Sequence, residues 1–262
     1  MTIDDNIQLF LCCLIIVLEN KGGSGKSTIA QICVETLKMD GSHVHVIETD
    51  TSNSTMTAAQ LSTGDVISTR SDGFIGGFLE AIELIEMGAA QHCVVDCGAR
   101  DEADIMMIIP DLAQKMREIG GFLIVVRPIS TNHFVQNNAV SCADQLIGSD
   151  ARVIFASNIS CGRRAEDFKR WTSTKSFARL TEAGVVSIDI GNAGAVLADN
   201  ATSFGLSFAD VALARFDRAG RFETIARQLF DRRLQLATAE WLAKSTKSMR
   251  QAIETCCKRG WK

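Results

Sequence analysis

Tyrosine is absent from this chain, and proline occurs only twice in 262 residues. With so few helix breakers, the chain reads as helix-rich with short connections. The apolar run Leu9–Leu18 falls well short of the ~20 residues that a membrane-spanning helix needs. It lacks a basic segment in front of it, so a secretory signal is not expected. The nine cysteines are odd in number and scattered, and no pair of C-x-x-C units suggests zinc. A disulfide framework is therefore excluded, and a reducing cytoplasm is the expected setting. No repeat, low-complexity tract or Pro/Gly-rich linker divides the chain. The net charge of -4 excludes a protein coated in positive charge but leaves room for local basic patches.

What is present is an alternation of strand and helix signals. Strand candidates are Leu11–Leu18, His43–Glu48, His92–Asp96, Phe122–Val126, Arg152–Ala156 and Val185–Ile188. Helix candidates between them are Ser27–Met39, Ile75–Met87, Glu102–Ile119, Asn132–Ile147 and Arg163–Ala183. Continuous β-branched runs separated by helices predict an α/β domain, with a mostly parallel sheet covered on both faces. Its core is expected over residues 1–206, with residues 1–8 a short lead-in. Residues 207–262 carry helical periodicity alone and are expected to pack on, or extend from, the same domain. Within them, Trp241, Leu242, Met249, Ala252, Ile253 and Cys256 fall on one side of a helical wheel, and Lys244, Lys247, Arg250 and Lys258 on another.

The sharpest local signal is Lys21-Gly22-Gly23-Ser24-Gly25-Lys26-Ser27-Thr28, set between the first strand and the first helix. A glycine-rich turn closing on Gly-Lys-Ser presents backbone N–H groups and a helix N-terminus to a phosphate. In a magnesium-dependent site, Lys26 neutralises the β- and γ-phosphates and the Ser27 hydroxyl ligates Mg²⁺. Gly22, Gly23 and Gly25 let the backbone approach the anion. Asp96 ends a buried strand and is expected to assist the metal from there. Glu48 and Asp50 supply a second acidic strand end, where Glu48 would hold magnesium waters or a switch loop. For Asp50 two readings stand: it orients the attacking water, or it starts a turn among the capping residues Thr51 to Thr55.

This run resembles the deviant Walker A motif of the ParA/MinD family of P-loop ATPases, with Lys21 at the signature-lysine position. The resemblance extends through Gly41, the pair Glu48-x-Asp50, the Walker B strand ending at Asp96, and Asn158 after the strand Val153–Ala156. It implies ATP and Mg²⁺ as ligands. It also implies a homodimer with ATP sandwiched at the interface, Lys21 reaching the partner's phosphates, Asp50 activating water and Asn158 contacting adenine. Hydrolysis would be slow and stimulated by a cargo adaptor. Thr51-Ser52 stands where the family carries Pro-Gln, and Gly191 where it carries a proline. No N-K-x-D guanine signature lies near Asn158.

The resemblance divides between positioning of DNA or another cargo, as in plasmid partition or conjugation, and membrane-surface patterning. For non-specific DNA and a nucleoid location, the candidate contacts are Arg163, Arg164, Lys169 and Arg170, and Arg215, Arg218, Arg221 and Arg227. Membrane contact would use the helix Ala239–Lys258. A metabolic P-loop kinase or ligase is a further alternative. Arg127-Pro128 is expected just beyond a strand end, shaping the dimer interface. His43 and His45 lack a third metal ligand, and Trp171 reads as a packing residue.

Overall fold

The computed structural model describes residues 12–39, 41–49, 66–70, 73–158, 168–191 and 193–258. Seven strands form one sheet: β1 (Cys13–Val17), β2 (Val44–Glu48), β3 (Val66–Arg70), β4 (His92–Asp96), β5 (Phe122–Ile129), β6 (Arg152–Asn158) and β7 (Val186–Ile190). Their order is β3-β2-β4-β1-β5-β6-β7, and every pairing is parallel. The helices between them are α1 (Lys26–Lys38), α2 (Phe74–Glu86), α3 (Glu102–Glu118), α4 (His133–Gly148), α5 (Lys169–Thr172) and α6 (Lys175–Glu182). After β7 come α7 (Ala195–Ser203), α8 (Phe208–Ala212), a 3₁₀ turn (Phe216–Phe222), α9 (Glu223–Leu229) and α10 (Arg232–Lys258).

Side-chain alternation along β1 explains the two-sided core. Cys13, Ile15 and Val17 join one apolar cluster with α1 and the C-terminal helices. Leu14, Ile16 and Leu18 join a second cluster with α2, α3 and α4. A strand sealed on both faces has no polar side to show, hence its unbroken apolar run. Helix α1 is enclosed nearly all round, and even Gln31 and Thr36 are buried.

Three sequence expectations need correction. Strand β3 was not foreseen: Val66-Ile67-Ser68-Thr69-Arg70 is too short and too polar to stand out as a buried run. It is an edge strand, paired only with β2. The helix expected over Arg163–Ala183 is broken. Its described part is two short helices, with Thr174 capping the second through Phe177 N–H (3.0 Å). Finally, β5 runs on to Ile129, so Arg127 and Pro128 lie inside it. Strand β1 pairs with β5 only as far as Val126, leaving β6 as the sole neighbour of Pro128. A residue without an N–H is tolerated there because one side of the strand has no ladder.

The C-terminal segment belongs to the core. Phe208, Val211, Phe216, Phe230, Trp241, Met249 and Ile253 share one buried cluster with β1 and α1. The Trp241 indole N–H donates to Gly191 O at 2.6 Å, and its ring meets Phe208 edge-on at 5.0 Å.

Candidate functional site

The loop from Glu19 to Gly25 leaves the carboxyl end of β1, the central strand, and enters α1. Gly23 (φ +74°) and Gly25 (φ +90°) adopt left-handed conformations that side-chain-bearing residues avoid. A Cβ on Gly25 would collide with the Asn158 amide. Gly25 is also the N-cap of α1, where no side chain caps the helix and no acidic residue occupies the first turn. The first-turn amides, unclaimed by a side-chain cap, suit an anion. Lys26 opens that turn and is half-buried, with Ser27 and Thr28 beside it, whereas Lys21 is exposed.

Two carboxylates border the loop. Asp96 pairs in register with Val17 on one side and Glu48 on the other. Both acids are buried at their strand ends. Thr49 N–H donates to Asp96 O (3.1 Å), Cys97 N–H to Val17 O (3.2 Å) and Gly98 N–H to Thr49 Oγ1 (3.3 Å), which fixes the three strand ends together. Burial pushes the Cys97 thiol well up; Asp96 and Asp101 add to this and Lys26 opposes it.

Asn158 ends β6 and reaches the loop itself, its Nδ2 donating to Ser24 O at 3.3 Å. Lys21, Lys26, Ser24, Ser27, Thr28, Glu48, Asp96 and Asn158 thus all lie at the carboxyl edge of the sheet. Asp50 lies outside the described residues, as do Arg163 and Arg164. Among the described residues, no group of three or more His, Cys, Asp or Glu side chains could hold a metal. A Mg²⁺ held by one hydroxyl, one carboxylate, waters and phosphates needs no such group. The Ser27 and Asp96 positions fit that mode.

Beneath the loop lies a network that the sequence reading missed. Arg127, expected just beyond the strand end at the dimer interface, is fully buried on the α3 and α4 side of β5. Its guanidinium bonds Glu19 (3.0 Å) and Glu102 (2.5 Å). Asn138 Nδ2 donates to both Glu102 oxygens (2.9 and 2.7 Å), and Asn20 N–H donates to Glu19 Oε1 (3.0 Å). Burial raises the Glu19 carboxyl, with the Arg127 charge opposing. The sequence signal was present in a charged residue directly continuing the apolar run Phe122–Val126, and another closing Leu9–Leu18.

The basic clusters are partly neutralised. Arg218 pairs with Asp210 (3.0 Å) and Arg227 with Glu223 (2.7 Å), while Arg221 lies over the Phe222 ring at 4.7 Å. On α10, Lys244 pairs with Glu240 (2.6 Å) and Arg250 with Glu254 (3.2 Å).

A wholly parallel sheet whose central strand feeds a glycine-rich, lysine-bearing loop into a buried helix defines a P-loop ATPase of the ParA/MinD kind. More narrowly, residues 13–151, over half of the chain, match the family model described as ATPase MipZ, and the chain belongs to that family. No curated protein sequence matches significantly. Among solved structures, the chain is similar to the MinD cell division protein of Aquifex aeolicus (17% identity, 82% of this chain, 96% of that one, TM-score 0.47). It is also similar to apo McdA of Cyanothece (10% identity, 82% and 99%, TM-score 0.49). FtsY of Mycoplasma mycoides matches at 12% identity over 70% of this chain, with a TM-score of 0.44; the chain spans 60% of that FtsY chain.

Proposed function

We propose that this protein is an ATP-dependent dimerising ATPase that positions DNA or another cargo. One observation carries the reading: the loop holds two lysines in different settings, Lys26 half-buried in the first turn of α1 and Lys21 exposed at the front. Lys26 serves the phosphates bound by its own chain. Lys21 is free to meet phosphates bound by a second copy, where a cation supplied in trans stabilises transition-state charge. Ser27 and Asp96 would hold Mg²⁺, which neutralises the developing phosphate charge when bound. Glu48 would support its waters, Asp50 would orient the attacking water, and Asn158 would contact the base.

Membership of the MipZ family supports this class of switch. The membrane reading is less favoured, because the apolar face of α10 is already packed on its own domain. The test is ATP turnover in two variants. Lys26→Ala is expected to lose ATP binding, and Asp50→Ala to accumulate an ATP-loaded dimer. Unchanged turnover in both would refute the mechanism, and phosphate appearing only with an added acceptor would favour a kinase or ligase. DNA binding with ATP against ADP over a salt series then decides the partner.

A further inference from the structure

The opposite edge of the sheet brings together cysteines from the two ends of the described chain. Cys13 opens β1 and Cys257 lies in the last turn of α10, yet their Sγ atoms are 4.0 Å apart across 244 residues of sequence. We propose that Cys13 and Cys257 are a modification site, a thiol pair that a peroxide oxidises to an intrachain disulfide pinning α10 to the strand that carries the phosphate loop.

Three observations support it. First, the sulfurs are already in contact, and closing a disulfide requires an approach of about 2 Å, within reach of side-chain rotation and a small shift of a terminal helical turn. Second, the two thiols are unequal. The hydrogen bond shared with Cys13, together with the Arg152 guanidinium, holds Cys257 below the usual thiol range against the effect of burial. Cys13 is fully buried and its thiol is held well above that range by the same hydrogen bond and by burial. With its sulfur also the more accessible of the two, Cys257 is the nucleophile and Cys13 the resolving partner. Third, Cys257 is only partly buried whereas Cys13 is enclosed, so a small oxidant meets the Cys257 sulfur first.

The chemistry balances with hydrogen peroxide as oxidant. The Cys257 thiolate attacks one peroxide oxygen, the O–O bond breaks, and the sulfur becomes a sulfenic acid while hydroxide leaves. The Cys13 sulfur attacks the Cys257 sulfur, the S–S bond forms, the S–O bond breaks, and water carries away the oxygen. Two thiol protons end on water, and one peroxide is reduced to two waters for each disulfide.

The test uses the purified full chain treated with equimolar hydrogen peroxide, alkylated and digested without reductant. The expected product is a Cys13 peptide linked to a Cys257 peptide, lighter by two hydrogens and released by dithiothreitol. The link should vanish in Cys257→Ser and persist in Cys12→Ser, which separates Cys13 from its neighbour. The unfolding midpoint of the oxidised chain should rise by roughly 5–10 °C. A Cys256–Cys257 link or an intermolecular disulfide would overturn the proposal. So would Cys257 sulfinic acid with Cys13 still alkylatable after denaturation. ATP binding is not part of the readout, so failure here leaves the proposed ATPase untouched.

Discussion

Single residues at the phosphate loop are constrained by geometry more than by chemistry. At Gly25 a left-handed backbone coincides with close approach of Asn158. Gly25→Ala is expected to strain the backbone by about 1–2 kcal/mol and to displace the Asn158 amide. A nucleotide titration should show at least a tenfold loss of ATP affinity with the fold retained by circular dichroism. His92 makes a different prediction. It is fully buried, its Nδ1 accepts from Cys13 N–H (3.2 Å), and burial lowers its pKa from 6.5 to about 4. The unfolded chain therefore binds the extra proton between those values. Stability is lost as pH falls from about 6.5 towards 4, by at most ~3 kcal/mol. Glu19 and Glu35, raised by burial, act in the opposite sense over part of this range. The informative quantity is the difference between wild type and His92→Gln in urea unfolding, which should widen as pH rises across that window.

Among the elements, the ones legible in the sequence were those sealed by the core. Strands β1, β4 and β5 hold the unbroken apolar runs Cys13–Val17, Cys93–Val95 and Phe122–Val126 because both faces are covered there, and the loop motif places α1 unambiguously. Strand β3 was missed because an edge strand with Ser68, Thr69 and Arg70 carries half the apolar signal. Arg127 was misplaced because a charged residue after a run of valines looks like a strand end. Only the tertiary partners Glu19 and Glu102, 108 and 25 positions away, reveal it as interior. That network joins the exit of β1, strand β5, and helices α3 and α4. Arg127→Met should leave two acids buried without their cation and cost about 3–5 kcal/mol, read as a lower urea midpoint. Glu19→Gln keeps a hydrogen-bond acceptor and should cost less. Had Arg127 been an exposed interface residue, its replacement would leave the midpoint unchanged.

At the scale of the whole molecule, the proposed function calls for a second copy facing the loop. Lys21 is exposed while Lys26 is half-buried, so their replacement should divide binding from assembly. Lys21→Ala is expected to retain ATP binding within a few-fold and to remain monomeric with ATP by light scattering, where wild type is expected to dimerise. Dimerisation at wild-type concentration by Lys21→Ala would remove the trans role. The sheet order bears on how such an event would be felt inside one chain. Strand β1 stands fourth of seven, with three strands on either side. Its amides should be among the last to exchange with deuterium, released only by global unfolding, whereas those of β3 and β7 should escape through local fraying. The phosphate loop is therefore expected to hang from the slowest-opening part of the protein. Its exchange with and without added nucleotide can be recorded amide by amide against a reference that stays closed.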